Sequence, residues 1–120
     1  MKFGYEDLEV WKRAVDYACQ VIDTTQSLRT SGRHFLIIEQ AEAAAVSISM
    51  NLAEGKGRYS KKEFIQFCYI ARGSLYETMT LVEIFSRKKW IPVEDFLSLK
   101  NEAYEIAAMI KGLINSLKKS

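Results

Sequence analysis

The sequence predicts an all-α protein: an antiparallel, up-down-up-down four-helix bundle, formed as one domain over residues 1–120. Three observations carry that expectation. Three segments repeat apolar residues at alternating steps of three and four, and a fourth is rich in alanine. A single proline and 6 glycines leave the periodic runs almost uninterrupted. The turn signals cluster near Gly32, Gly57 and Pro92, so the connections are short, and short connections join antiparallel neighbours.

The first helix is expected from about Asp7 to Leu28, with Leu8, Trp11, Val15, Ala18, Ile22 and Thr25 as its heptad seam. A loop follows over Thr24 to Arg33, broken by Ser27, Thr30, Ser31 and Gly32. The second helix spans about Phe35 to Glu54, and its small residues Ala41, Ala43, Ala44, Ala45, Ser47, Ser49 and Ala53 admit a close neighbour. Gly55 stands where a left-handed C-terminal cap belongs, because glycine carries no Cβ penalty there. The third helix, about Lys61 to Lys89, opens with Ser60 and Glu63 at capping-box spacing, bracketed by Tyr59 and Phe64 as a hydrophobic staple. Its seam is Phe64, Cys68, Ala71, Leu75, Thr78, Val82 and Phe85. Pro92 suits the first turn of the fourth helix, about Val93 to Leu117, whose seam is Phe96, Leu99, Ala103, Ile106, Ile110, Leu113 and Leu117.

Hydrophobic residues make up 48% of the chain, which excludes disorder and supplies one core. The 17 basic and 15 acidic residues leave a formal charge of +2, too little to steer the whole molecule to nucleic acid, so only local clusters could do so. Cys19 and Cys68 have no metal-type spacing and read as small buried thiols in a reducing compartment. Acids at the N-terminus and no uncharged run near the roughly 18 residues of a membrane span point to a soluble, cytoplasmic protein without membrane contact.

No reaction centre emerges. His34 is the sole histidine and lies beside a loop, without a serine, cysteine or carboxylate set around it. Both cysteines fall on expected apolar faces, where a thiolate is disfavoured. Glu94, Asp95 and Glu102 read as solvated surface among lysines. Gly57 and its neighbours lack phosphate-loop spacing. The expectation is a non-enzyme with no cofactor and no metal.

Non-catalytic candidates remain. Gln40, Ser47, Asn51 and Glu54 share a face of the second helix and form a polar strip that would fix register in the bundle, with Arg58 or Arg72 as partners for Glu54. Lys56, Arg58, Lys61 and Lys62 surround Gly57 and Tyr59 at the second turn: phosphate partners, a pliable backbone and an aromatic able to stack on a base. Arg87, Lys88, Lys89, Lys118 and Lys119 form a second expected basic cluster at one end of the bundle, beside a packing Trp90. The third helix has more apolar surface than one seam needs, with Ile65, Tyr69, Ile70, Tyr76, Met79, Leu81 and Ile84 off the stripe. A helix apolar over most of its circumference needs a partner, so self-association is expected, with Ile65, Tyr69 and Tyr76 at the interface.

The stretches N-L-A-E-G-K-G-R (Asn51 to Arg58) and F-x-x-F-x-x-I-A-R-G-S-L (Phe64 to Leu75), with E-D-L-E-V-W-K-R-A (Glu6 to Ala14), resemble the bacterial four-helix-bundle proteins of 23S ribosomal RNA intervening sequences. The resemblance implies the same bundle, a ring-like homo-oligomer of five copies, and an association with RNA. It also makes Gln40, Ser47, Asn51, Glu54, Gly55, Arg72 and Gly73 structural signature residues. Where that family carries a basic pair after the glutamine matching Gln40, this chain has Glu42 and Ala43, so the RNA expectation rests on the turn. Two functions follow: an oligomeric RNA- or ribonucleoprotein-associated scaffold, or a protein-interaction adaptor of the reverse-transcriptase accessory type that binds no nucleic acid.

Overall fold

The computed structural model describes residues 1–30, 32 and 34–120; Ser31 and Arg33 of the expected first loop lie outside the described residues. A short 3-10 turn, Gly4–Asp7, precedes four helices: α1 Glu9–Gln26, α2 Phe35–Lys56, α3 Lys61–Arg87 and α4 Val93–Lys119. No strand occurs among the described residues. Each helix packs on the next and α4 closes back on α1, whereas α1 and α3, and α2 and α4, stand across the diagonals and meet only through side chains in the core. The result is the expected bundle in square array, 49 Å long and 24 by 23 Å across.

The core runs the length of this square. Tyr17, Ile48, Leu52, Leu75, Phe85, Leu99, Ile106 and Ile110 are its largest fully enclosed side chains. On α3 every residue of the expected seam is buried. On α4, Leu99, Ala103, Ile106 and Ile110 are buried with Ile114, while Phe96, Leu113 and Leu117 flank them half-buried. The seam of α1 is displaced by one position. Val10, Ala14, Tyr17, Ala18, Val21 and Thr25 face inward, and Leu8, Trp11, Val15 and Ile22 are half-buried. Trp11 is drawn to the flank by Tyr5 of the 3-10 turn, whose ring lies 4.9 Å away.

The end of α2 corrects the reading of Gly55. That residue is buried inside the helix, and the chain leaves the helix at Gly57, in right-handed geometry with φ −81°. A Cβ on Gly55 would stand 2.7 Å from the Phe67 Cβ and 2.9 Å from a Phe64 ring carbon. The glycine is therefore there for close approach of α3, not for backbone handedness. Its small companions serve the same packing: Ala41, Ala44, Ala45 and Ser49 are buried, while Ala43 faces out.

The left-handed cap lies elsewhere, after α3. Lys89 has φ +62°, the Lys89 N–H donates to the Ser86 carbonyl at 3.0 Å, and the Trp90 N–H donates to the Phe85 carbonyl at 2.9 Å. These two bonds make a Schellman ending with lysine in the glycine position, and the 5.7 Å contact of Trp90 with Phe85 completes its hydrophobic pair. At the start of α3 the Ser60 Oγ accepts the Glu63 N–H at 3.2 Å, as the capping-box spacing implies. The staple does not form, because Tyr59 points wholly into solvent. Pro92 occupies the N-cap of α4, one position before the expected first turn, with extended ψ of 153°.

By length and composition α2 could cross a membrane, although Glu39, Glu42 and Glu54 interrupt it and its small-residue face is packed against the bundle.

Candidate nucleic-acid interface

The α2–α3 turn projects Lys56, Arg58, Tyr59, Lys61 and Lys62 into solvent. The Tyr59 side chain is 103% exposed, so an aromatic ring stands unpacked among cations. Arg58 differs from the lysines. Its guanidinium pairs with Glu54 at 2.8 Å and lies 4.8 Å over the Phe67 ring, which ties the turn to both helices. Among the described residues Lys56, Lys61 and Lys62 make no ion pair. The corner is thus three uncompensated ammonium groups around one exposed phenol, with Arg58 as its brace.

The expected second basic cluster is not formed as one group. Helices α3 and α4 are antiparallel, so Arg87, Lys88 and Lys89 at the end of α3 lie at the opposite end from Lys118 and Lys119. Arg87 is paired with Glu83 at 3.0 Å. Lys118 instead reaches α3, donating to the Tyr69 hydroxyl at 3.3 Å. The two terminal lysines therefore belong to the half of the molecule that carries the basic corner.

Only part of the polar strip is a network. The Asn51 amide donates to the Ser47 carbonyl at 2.8 Å and hydroxyl at 2.9 Å, and Ser47 meets Ser74 of α3 at 3.0 Å. Gln40 stands exposed away from it, and Glu54 turns to Arg58 rather than Arg72. Arg72 lies over the rings of Tyr69 and Tyr76 at 4.9 and 5.8 Å. Gly73 is exposed, with nothing within 4 Å of where a Cβ would be. Glu42 accepts a hydrogen bond from Thr25 of α1, so the position where a base was expected instead clips two helices together.

Of the expected interface residues, Tyr69 and Tyr76 are exposed, while Ile65 is half-buried and packs on the core. Leu81 is buried and Met79 is half-buried, accepting the Tyr17 hydroxyl at 2.9 Å, so α3 spends these two off-stripe residues inside its own bundle. Ile70 and Ile84 remain outside.

Two features escaped the sequence. One is a groove of about 560 Å³ between α3 and α4, floored by Met79 and Phe96 and rimmed by Arg72, Tyr76, Tyr104 and Lys111. Its signal was Tyr104, an aromatic off the α4 seam. The other is a clip between α1 and α4: Arg13 binds both Glu102 oxygens, at 2.6 and 2.9 Å, and Glu105 at 2.5 Å. Glu102 is therefore not free surface, and its hydrogen bonds, followed by those of Glu105, hold Arg13 firmly charged.

The thiols divide. Cys68 is buried, and burial pushes it up to about 11, whereas Cys19 is exposed, contrary to its expected place on an apolar face. Burial, then the charge of Glu102, also raises the Tyr17 phenol. His34 stands at the N-cap position of α2 without a side-chain capping bond, its ring 4.7 Å from that of Trp90. Among the described residues no three His, Cys, Asp or Glu side chains converge to hold a metal.

No curated protein matches this sequence. A crystal structure from Bacteroides thetaiotaomicron VPI-5482, described as a protein of unknown function from the S23 ribosomal protein family, superposes with a TM-score of 0.81. The alignment covers 88% of this chain and 97% of that one at 24% identity, and so bears on the fold alone. The family model for the 23S rRNA-intervening sequence protein matches residues 6–112, and with the four-helix bundle in place the chain belongs to that family.

Proposed function

We propose that the chain is a non-enzymatic, self-associating scaffold of the cytoplasm that contacts RNA phosphates through the α2–α3 corner. The observation that carries this reading is the set of uncompensated lysines, Lys56, Lys61 and Lys62, around the fully exposed Tyr59. Phosphate contacts position a protein without reading sequence, and an exposed ring can stack on an unpaired base. One corner with three lysines binds weakly. Repeated around a ring, with five copies expected from the family resemblance, the corners act together and their counterion release adds. Exposed Tyr69, Ile70, Tyr76 and Ile84 on α3 support the self-association.

The test is RNA affinity against salt for the parent and for the triple variant Lys56→Ala, Lys61→Ala, Lys62→Ala, with Arg58 kept because it braces the fold. Each lost phosphate contact should flatten the log–log salt slope by about 0.7 to 0.9. Parent binding at low salt with a shallower slope in the variant supports the reading. An unchanged slope removes the corner from it. If the parent binds no RNA at all, the protein-adaptor reading stands, and the α3–α4 groove is the feature that favours it.

A further inference from the structure

The groove between α3 and α4 and the outward side of α2 are two apolar surfaces that the bundle leaves uncovered, and they differ in character. On α2, Leu36, Ala43 and Met50 recur one heptad apart and all face solvent, Leu36 at 80% and Met50 at 63% exposure. No lysine or arginine occurs from Phe35 to Gly55, and three glutamates do. Glu42 and Glu54 are engaged with Thr25 and Arg58, which leaves Glu39 as the carboxylate on this face without an ion pair among the described residues. The groove has the opposite sign: Arg72, Lys100 and Lys111 line it against a single carboxylate, Glu83.

The lengths agree as well. Leu36 to Met50 covers about 21 Å of helix, and the α4 wall of the groove, Phe96 to Lys111, covers about 22 Å, at 1.5 Å per residue. An apolar, acidic ridge thus matches an apolar, basic trough of equal length on the same chain.

Building on the self-association proposed above, we infer that the outward face of α2 in one copy docks into the α3–α4 groove of a second copy. Pairing like with like is disfavoured, since groove against groove brings cations together and α2 against α2 brings glutamates together. Because α2 lies diagonally across the bundle from α4, the two surfaces point in different directions. Such head-to-tail contacts repeat from copy to copy and close into a ring when the rotation allows. With the two lengths aligned, Ala43 lies between Tyr76 and Tyr104 at the middle of the trough, Leu36 and Met50 seat toward its two ends, and Glu39 meets the cationic rim.

Two variants test this by complementation. Met50→Asp spoils the ridge and leaves the groove intact; Tyr104→Asp spoils the groove and leaves the ridge intact. Met50 and Tyr104 are 63% and 79% exposed, so both variants should keep the parent's helical circular-dichroism signal. In sedimentation velocity at micromolar concentration the parent should run as an oligomer and each variant alone as a 13.8 kDa monomer. An equimolar mixture should give a one-to-one heterodimer, because one ridge and one groove survive between them. If the Met50→Asp protein assembles like the parent, or if two monomeric variants fail to pair, the docking mode is overturned while self-association stands. A monomeric parent overturns both.

Discussion

Gly55 and Lys89 exchange the roles that residue chemistry assigns by habit. A glycine after a helical run ordinarily supplies a left-handed cap, yet Gly55 is helical and buried, held to glycine by the Phe67 Cβ. A lysine ordinarily avoids positive φ, yet Lys89 adopts φ +62° to close α3. These placements predict opposite responses to small changes. Gly55→Ala must push α3 away from α2 and should lower stability by about 1–3 kcal/mol, the usual cost of overpacking. Lys89→Gly relieves the left-handed strain and should raise it by about 0.5–1 kcal/mol, after the extra chain entropy of glycine is subtracted. Denaturant midpoints of the two variants against the parent check both signs; equal midpoints would contradict the packing and the cap together. The sequence could not separate these cases, because the reason for Gly55 is a phenylalanine on another helix.

At the scale of the element, legibility follows how singular each apolar stripe is. On α3 one seam is spaced in heptads, and every residue of it is enclosed. On α1 each inward step offers a choice of adjacent apolar residues, Val10 or Trp11, Ala14 or Val15, Val21 or Ile22. There Trp11 lies at the flank against Tyr5, a tertiary contact that the pattern does not contain. The basic corner was legible because a turn exposes whatever it carries, whereas the separation of Lys118 from Arg87 needed the antiparallel packing of α3 and α4. The α1–α4 clip was hidden for the same reason, since Arg13 and Glu102 lie 89 positions apart. It holds α1 to α4, the neighbouring helices that approach each other least closely along their backbones. Arg13 is one-third exposed, so its ion pair, discounted for solvent, should contribute no more than about 1 kcal/mol. A double-mutant cycle with Arg13→Ala and Glu102→Ala should return a coupling of that size that shrinks as salt is added. A coupling of zero at low salt would assign α1–α4 cohesion wholly to the apolar seam.

The whole molecule is a narrow bundle whose apolar residues exceed what its own core encloses. Leu36 and Met50 on α2, Tyr76 on α3, and Leu97 and Tyr104 on α4 are all exposed. Burying them in a head-to-tail ring would stabilise the folded chain by mass action, because the assembled form binds native neighbours and unfolded chains do not. The same ring would repeat each α2–α3 corner on one rim, which joins the two proposals: the ridge and groove assemble the molecule, and assembly makes a weak basic corner multivalent. The thermal midpoint of the parent should therefore rise with protein concentration. Each tenfold increase should add on the order of 1 kcal/mol per chain, or about 4 °C for a domain of this size. Met50→Asp should flatten that dependence at little cost to the midpoint of the dilute protein, because its side chain already faces water. Scanning calorimetry over two decades of concentration makes the comparison. A parent midpoint that does not move with concentration would mean that the bundle gains nothing from its neighbours, and the exposed ridge and groove would then need another protein to cover them.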